Sequence, residues 1–249
     1  MDKTLLKGLT MIETLANSRE PRGISDLAEE LSLSKSNVHR ILKTLESVGY
    51  INQSPTTGRY KLSIKLWELG WKIVSRLDLK REALEPMEEL SKLTRETVHL
   101  SILDGIEVVY LDKIDSPEPI RAYSTVGGRA PAYAVATGKA LLAFQQLEVI
   151  ERAGKNLVAF TDKTIRSSKE LRAELERVRT QGYAINVGEW RETVSGIAAP
   201  IYSGGGTVEA AIGISGPTSR LNARRRKEFV DYVISAAQTI SVRLGYRMP

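Results

Sequence analysis

The 249-residue sequence has no cysteine and only two histidines, and no apolar run reaches the length of a membrane span. Without cysteine there is no disulfide framework, no thiolate metal site and no cysteine nucleophile, and the chain is indifferent to redox compartment. The histidines, His39 and His99, are joined by no paired-carboxylate motif, so the inventory for acid–base chemistry is thin. The N-terminus, MDKTLLKGLTMIETLANS, is too polar and acidic for a signal peptide's apolar core, and nothing approaches the ~20 apolar residues of a membrane helix. The expectation is a cytoplasmic chain that needs no metal, cofactor or membrane.

What is present suits two modest folded domains: 42% of the residues are hydrophobic, enough for ordinary cores. The net charge of +6 says little by its total. Its location says more: from Ser34 to Lys65 the cations Lys35, Arg40, Lys43, Arg59, Lys61 and Lys65 face Glu46 alone, a bias that favours polyanions.

That stretch has a definite pattern. Val38, Ile41, Leu42, Leu45 and Val48 recur at three- and four-residue steps and predict a helix with one buried stripe, with Ser34 as its N-cap. Lys35, Ser36, Asn37, His39, Arg40 and Lys43 occupy the other face, a set of donors and cations able to meet phosphates and base edges. A shorter helix capped by Ser25 and carrying Leu27, Ala28 and Leu31 precedes it, and a first helix carries Leu5, Leu6, Leu9, Ile12 and Leu15. Gly49 closes the long helix. Tyr50–Gln53 and Tyr60–Ser63 then alternate as strands about the turn Ser54-Pro-Thr-Thr-Gly58, putting Arg59 and Lys61 on a wing. The predicted unit is a winged helix-turn-helix over residues 1–64. Three solvated helices of some other small domain would not account for caps, hairpin and charge bias coinciding.

A linker helix over 65–79 follows, with Trp67 and Trp71 as a self-association surface. The second domain, 80–249, opens with a helix through Leu84, Met87, Leu90 and Leu93 that tolerates Pro86 only near its start. A hairpin, Val98–Leu103 and Glu107–Ile114, turns at Asp104-Gly105. Further strands are predicted at Ile120–Val126, Tyr183–Val187, Val194–Tyr202 and Val208–Ser215, and helices at Leu147–Ala153, Lys169–Gln181 and Ala223–Leu244. Thr137 is expected to cap a helix starting at Gly138 or Lys139, whose free amides would welcome an anion. The order of elements implies an α+β domain on an antiparallel sheet.

LAEELSLSKSNVHRILKTLESVGY, GGRAPAYAVATGKALLA and GIAAPIYSGGGTVEAAIGISGP together make the chain resemble the IclR family of bacterial transcriptional regulators over essentially its full length. The resemblance implies a winged-helix N-domain, a C-terminal effector domain, homodimers paired through the N-domains, and homotetramers, as dimers of dimers, on double-stranded operator DNA. It also implies an effector site at Ala136, Thr137 and Gly138, at Asn186 and Glu189, and at Gly196, Gly213 and Ser215. Gly196 and Gly213 replace the cysteine and serine of some relatives, which suits a larger or more apolar ligand than a very small oxo-acid. Tyr123 and Tyr133 could flank a ring.

Other readings of these residues are weaker. The Gly-Lys of ATGKA is no P-loop, because Tyr133 and Ala140 stand where glycine and Ser/Thr are needed. Lys139 is expected on an exposed helix face, or at most as a distant electrostatic aid to a bound acid. His99 is expected as a sheet residue rather than a general base, and Glu192 as part of a solvated loop. Glu189 reads equally as loop or pocket. The basic run Arg224–Lys227 reads as a solvated helix start. The expected function is a ligand-responsive transcriptional regulator of catabolic genes, repressor or activator, whose effector is a small organic acid, aromatic acids included. The alternative is an enzyme acting on such an acid, with an attached DNA-binding module.

Overall fold

The computed structural model describes residues 3–74 and 78–247, the side chains of 71–74 excepted. The chain divides into two compact units, 1–76 and 77–249.

The first unit contains α1 (Lys3–Asn17), α2 (Ile24–Glu30), α3 (Lys35–Ser47), the hairpin β1 (Ile51–Gln53) and β2 (Tyr60–Leu62), and α4 (Lys65–Val74). Its core joins Met11 and Leu15 of α1 to Leu27, Ala28, Val38, Ile41, Leu42, Ile51 and Tyr60. The α1 stripe is therefore shifted from the one expected: Leu5, Leu6 and Leu9 are exposed, and Met11 takes the buried place one turn before Leu15. Ser34 caps α3, its hydroxyl accepting from the Asn37 amide. Ser25 is not the cap of α2. The helix starts at Ile24, behind Gly23, whose amide donates to the Asp26 carboxylate. Gly49 stops α3 at φ +79°, a left-handed conformation that frees the chain to turn into β1. Trp67 is 61% exposed on α4. The side chain of Trp71 lies outside the described residues.

The second unit is a six-stranded antiparallel sheet in the order β5-β4-β3-β8-β7-β6, from β3 (Thr97–Asp104), β4 (Glu107–Ile114), β5 (Arg129–Pro131), β6 (Ala184–Val187), β7 (Val194–Tyr202) and β8 (Val208–Pro217). Strand alternation sorts its two faces. Val98, Leu100, Ile197, Ala199, Ile201, Ile212 and Ile214 meet α5 (Asp78–Thr94) and α9 (Ala223–Arg243). The opposite parity carries His99, Ser101, Asn186, Gly196, Ala198, Ala211, Gly213 and Ser215, small or polar residues that let α6 (Ala136–Leu142) lie close to the strands. Helices α7 (Leu147–Lys155) and α8 (Ser168–Gln181) complete that layer. Two glycines of this unit have no room for a side chain. A Cβ on Gly138 would stand 2.2 Å from the Ala132 carbonyl oxygen, and one on Gly213 would stand 2.5 Å from that of Ile197.

Three expectations fail here for identifiable reasons. Helix α5 runs through Pro86 rather than starting there, and the carbonyl that the proline leaves without its amide partner, Glu82 O, accepts from the Arg243 guanidinium at 3.4 Å. Residues 120–126 form no strand, because β4 pairs with 129–131 instead. The helix expected at Gly138 begins at Ala136, with Val135 as its N-cap and no side-chain cap bond from Thr137.

Candidate functional site

A cavity of about 50 Å³ opens on the α6 side of the sheet. Its floor is β-strand: His99 from β3, Gly196 and Ser195 from β7, Ile214 and Ser215 from β8, and Asn186 from β6. Val135, Ala136 and Thr137 line it from the start of α6. The β4–β5 connection contributes Ala122, Tyr123 and Ser124, and the β6–β7 connection contributes Trp190 and Arg191. The volume holds a few waters, well below the roughly 300 Å³ at which drug-sized pockets begin.

The polar groups in this lining are mostly committed to one another. His99 Nε2 lies 2.7 Å from Ser215 Oγ, and its Nδ1 lies 3.4 Å from Ser124 Oγ. Burial first, and the Lys113 cation second, push the imidazole pKa down to about 4, so His99 is neutral at pH 7. Burial likewise raises the Tyr110 phenol to about 12 against a small opposing pull from Arg191. Asn186 is spent on backbone: its Nδ2 donates to Ala134 O, and its Oδ1 accepts from the Glu189 amide. Arg191 differs. Its guanidinium lies 4.6 Å from the centroid of the Trp190 ring, is exposed, and among the described residues has no anionic partner. It is the charged side chain of the cavity lining.

The structure therefore brings together Tyr123, Ala136, Thr137, Asn186, Gly196 and Ser215 of the expected effector set, and places four others elsewhere. Tyr133 is buried, its hydroxyl donating to Val158 O and accepting from Val158 N, and its ring stacks on Phe160. Gly138 and Gly213 are spacing residues, hemmed in by backbone rather than facing the cavity. Glu189 turns away to Lys139. That lysine, expected on an exposed face, is 1% exposed; its Nζ donates to Glu189 at 2.8 and 3.1 Å and to Glu174 at 2.9 Å. Burial raises the Glu189 pKa, with the Lys139 charge opposing. Glu189 O accepts from Thr164 Oγ1, so the loop that presents Trp190 and Arg191 is tied to α6 and to the 161–164 turn.

In the first unit, Lys35, Ser36, His39, Arg40 and Lys43 are exposed on α3, and Asn37 is half-buried. Ser34 is occupied as the cap, and Lys43 bonds Glu46 at 2.8 Å. Arg59, expected on the wing, donates to Pro21 O at 3.1 Å and sits 3.4 Å from Asp26, where the wing meets the start of α2. Lys61 stays exposed.

The family model described as bacterial transcriptional regulator IclR C-terminal matches residues 71–242, and that described as IclR helix-turn-helix domain matches residues 4–55. The chain belongs to the IclR family. This IclR-family chain is 38% identical over 245 residues to the HTH-type transcriptional regulator KdgR of Escherichia coli, covering 98% of this chain and 93% of that one. It is 37% identical to XynR of the same organism, covering 90% and 89%. An IclR homologue of Microbacterium hydrocarbonoxydans, crystallised with 4-hydroxybenzoate, is similar at a TM-score of 0.85 and 29% identity, with 97% and 99% of the two chains covered. The IclR-family assignment makes the chain a DNA-binding transcriptional regulator with an α+β C-terminal domain. Sequence reasoning missed His99, Ser124, Trp190, Arg191 and Ser195 as cavity residues. Nothing local marks Arg191, and His99 and Ser215 share a face only through the β3–β8 register.

Proposed function

We propose that this IclR-type regulator binds a small organic acid in the cavity beside α6, aromatic acids included, and thereby changes its affinity for operator DNA upstream of catabolic genes. The observation that carries this reading is Arg191, a cation without an anionic partner among the described residues, at the mouth of a cavity otherwise lined by neutral groups. A guanidinium offers a carboxylate two parallel N–H donors. The first-turn amides of α6, at Ala136 and Thr137, add donors of the same sense. The 4-hydroxybenzoate held by a relative of the same fold supports an acid of about that size. With about 50 Å³ available, the mouth must widen to admit a ring, and the 116–126 connection that carries Tyr123 is the wall free of sheet pairing.

DNA reading falls to the exposed face of α3, at Lys35, Ser36, Asn37, His39, Arg40 and Lys43, with Ser34, Lys61 and Arg59 as backbone contacts. Homodimers, and homotetramers built from them, fit the exposed Leu5, Leu6 and Leu9 of α1 and the exposed Trp67. In functional terms residues 1–64 read DNA, 65–79 connect, and 80–249 sense the acid. Regulation requires the acid to favour one arrangement of the assembly over another, since equal affinity for both shifts nothing.

The experiment is a gel shift on DNA flanking the protein's own gene, with and without a panel of small organic acids, beside calorimetry of the same acids. Arg191→Met is expected to abolish the acid effect while leaving ligand-free DNA binding intact; an undiminished response in this variant would remove the cavity from consideration. One observation favours a second reading, an enzyme acting on the acid: Ser215 Oγ lies within 2.7 Å of an imidazole nitrogen, as a serine nucleophile would. Against it, His99 is too weak a base at about pKa 4, and its other nitrogen faces a serine rather than a carboxylate. Mass spectrometry of the acids after incubation separates the two.

A further inference from the structure

At the β6 edge of the sheet, on the α9 side, lies a groove of about 420 Å³, within the roughly 300–1,000 Å³ range of small-molecule sites. It exists because two neighbouring strands differ in length. Helix α8 stops at Gly182, at φ +78°, and the chain turns into β6, which pairs with β7 only over Ser195–Ala198. Strand β7 runs on to Tyr202, so its last residues have an open edge, and Ala199, Pro200 and Tyr202 line the groove opposite Ala237 and Gln238 of α9. That edge is a poor template for another strand: Pro200 has no N–H, and the Tyr202 N–H is taken by Ser241 Oγ at 2.9 Å. What the groove offers is side-chain chemistry. The rings of Tyr202 and Tyr246 stack with centroids 4.8 Å apart, an apolar wall that carries phenol hydroxyls, and Gln181 and Gln238 bring amides. Gln181 spends its Nε2 on Tyr183 O, whereas both phenol hydroxyls and the Gln238 amide have no hydrogen-bond partner among the described residues. None of the described residues that line the groove carries a charge.

We propose that this groove is a second small-molecule site, taking an uncharged, hydroxyl-rich compound of about monosaccharide size. An ion entering it sheds water and meets no counter-charge. A purely apolar compound covers the amide and the phenol hydroxyls and leaves them unpaired. A sugar does neither. Each of its hydroxyls both donates and accepts, as a glutamine amide and a phenol hydroxyl do, and its C–H surface packs on the tyrosine rings. The groove shares no lining residue with the cavity that holds Arg191, and the proposal does not rest on the acid reading.

The test is calorimetry on the full-length protein with D-glucose, D-galactose, D-xylose and D-mannitol as uncharged probes, in wild type, Gln238→Trp, Gln238→Leu and Tyr246→Ala. Thermal melts confirm that each variant is folded. At least one probe is expected to bind the wild type with a dissociation constant of about 1 mM or tighter. An indole at position 238 occupies the groove and Tyr246→Ala removes one of its walls, so each is expected to weaken that probe by about tenfold or more. Leucine keeps the volume of the glutamine and loses its amide, and Gln238→Leu is expected to weaken it by about fivefold, the worth of one hydrogen bond. Competition sets the ligand class: D-glucuronate, the charged counterpart of glucose, and cyclohexanol, an apolar ring, are expected not to displace the bound probe at concentrations where a second sugar does. A wild type that binds none of the uncharged probes at about 10 mM overturns the proposal. So does binding that Gln238→Trp leaves undiminished, which puts the sugar elsewhere, and so does displacement by glucuronate or cyclohexanol as effective as that by a sugar. Each of these results leaves the acid site standing.

Discussion

Replacing Lys139 by methionine tests whether the cavity wall is held by one buried ion cluster. The lysine side chain is 2% exposed, and its partners Glu174 and Glu189 are 13% and 12% exposed. Methionine approximates the buried stem, so the lost contribution is the ammonium alone. Glu174 keeps Arg177 as a partner at the surface, whereas Glu189 is left with no cation among the described residues. Removing one partner of a buried pair costs about 3–5 kcal/mol, and the surviving Arg177 contact argues for the lower end, about 3 kcal/mol. For a unit of this size that is a fall in Tm of roughly 6–12 °C. In a W67F/W71F background Trp190 is the remaining tryptophan, and its fluorescence reports the second unit's melting without the first unit's contribution. The pH dependence has a definite sign. Burial already raises the Glu189 pKa and Lys139 opposes that rise, so losing the lysine raises it further. A carboxyl whose folded pKa exceeds its unfolded value destabilises the fold above that folded pKa, and the penalty is relieved as protons bind. The deficit of Lys139→Met against wild type should therefore shrink between pH 7 and pH 5, and a second change, Glu189→Gln, should recover part of it at pH 7. A Tm within about 2 °C of wild type at pH 7, or a deficit unchanged at pH 5, would refute the assignment of Lys139 as the counter-charge of Glu189.

Gly138→Ala puts a methyl 2.2 Å from a backbone oxygen that no rotamer can move, and it should destabilise the second unit by about 3 kcal/mol, at the upper end for overpacking, as read by the same Trp190 melt. Glu96, fully buried, binds Arg220 through both oxygens at 2.7 and 2.6 Å, and the same guanidinium holds Ile120 O at 2.8 Å. Glu96→Gln should cost about 2 kcal/mol and speed chymotryptic cleavage at Tyr123, which is 80% exposed; unchanged cleavage would separate the ion pair from the order of that connection. Arg40→Ala and Ser36→Ala should each weaken operator binding by about 1–3 kcal/mol in gel shifts if they touch bases, with relaxed preference at the contacted pair. Arg59→Ala should weaken binding less than Arg40→Ala does, since Arg59 is engaged by Pro21 and Asp26.

Short-range chemistry was enough for much of the fold. Val38, Ile41 and Leu42 declare a buried helix face by spacing alone, Ser34 and Ser167 cap their helices through hydroxyls three residues from the amides they satisfy, and Asp104-Gly105 turns a hairpin with glycine at φ +65°. These are decided within a few residues, and so is the polar face of α3. The cavity is not. His99 and Ser215 are separated by 116 positions and meet because β3 pairs with β8 in one register, Val98 opposite Ile214, which turns His99 and Ser215 to the same face. Lys139 carries a charge that sequence reasoning assigns to solvent; its burial depends on carboxylates 35 and 50 residues away, and a buried charge is tolerable only when such partners arrive. Pro86 sits inside a helix, and Arg243, far along the chain, reaches the carbonyl it freed. Gly213 has no room for a side chain because of where the Ile197 carbonyl lies, a crowding that the pairing of β7 with β8 creates. Local periodicity and caps choose helices and strands because their energies are local. Which polar group is buried, paired or left facing a cavity is a property of partners far along the chain, and tertiary packing alone assigns them.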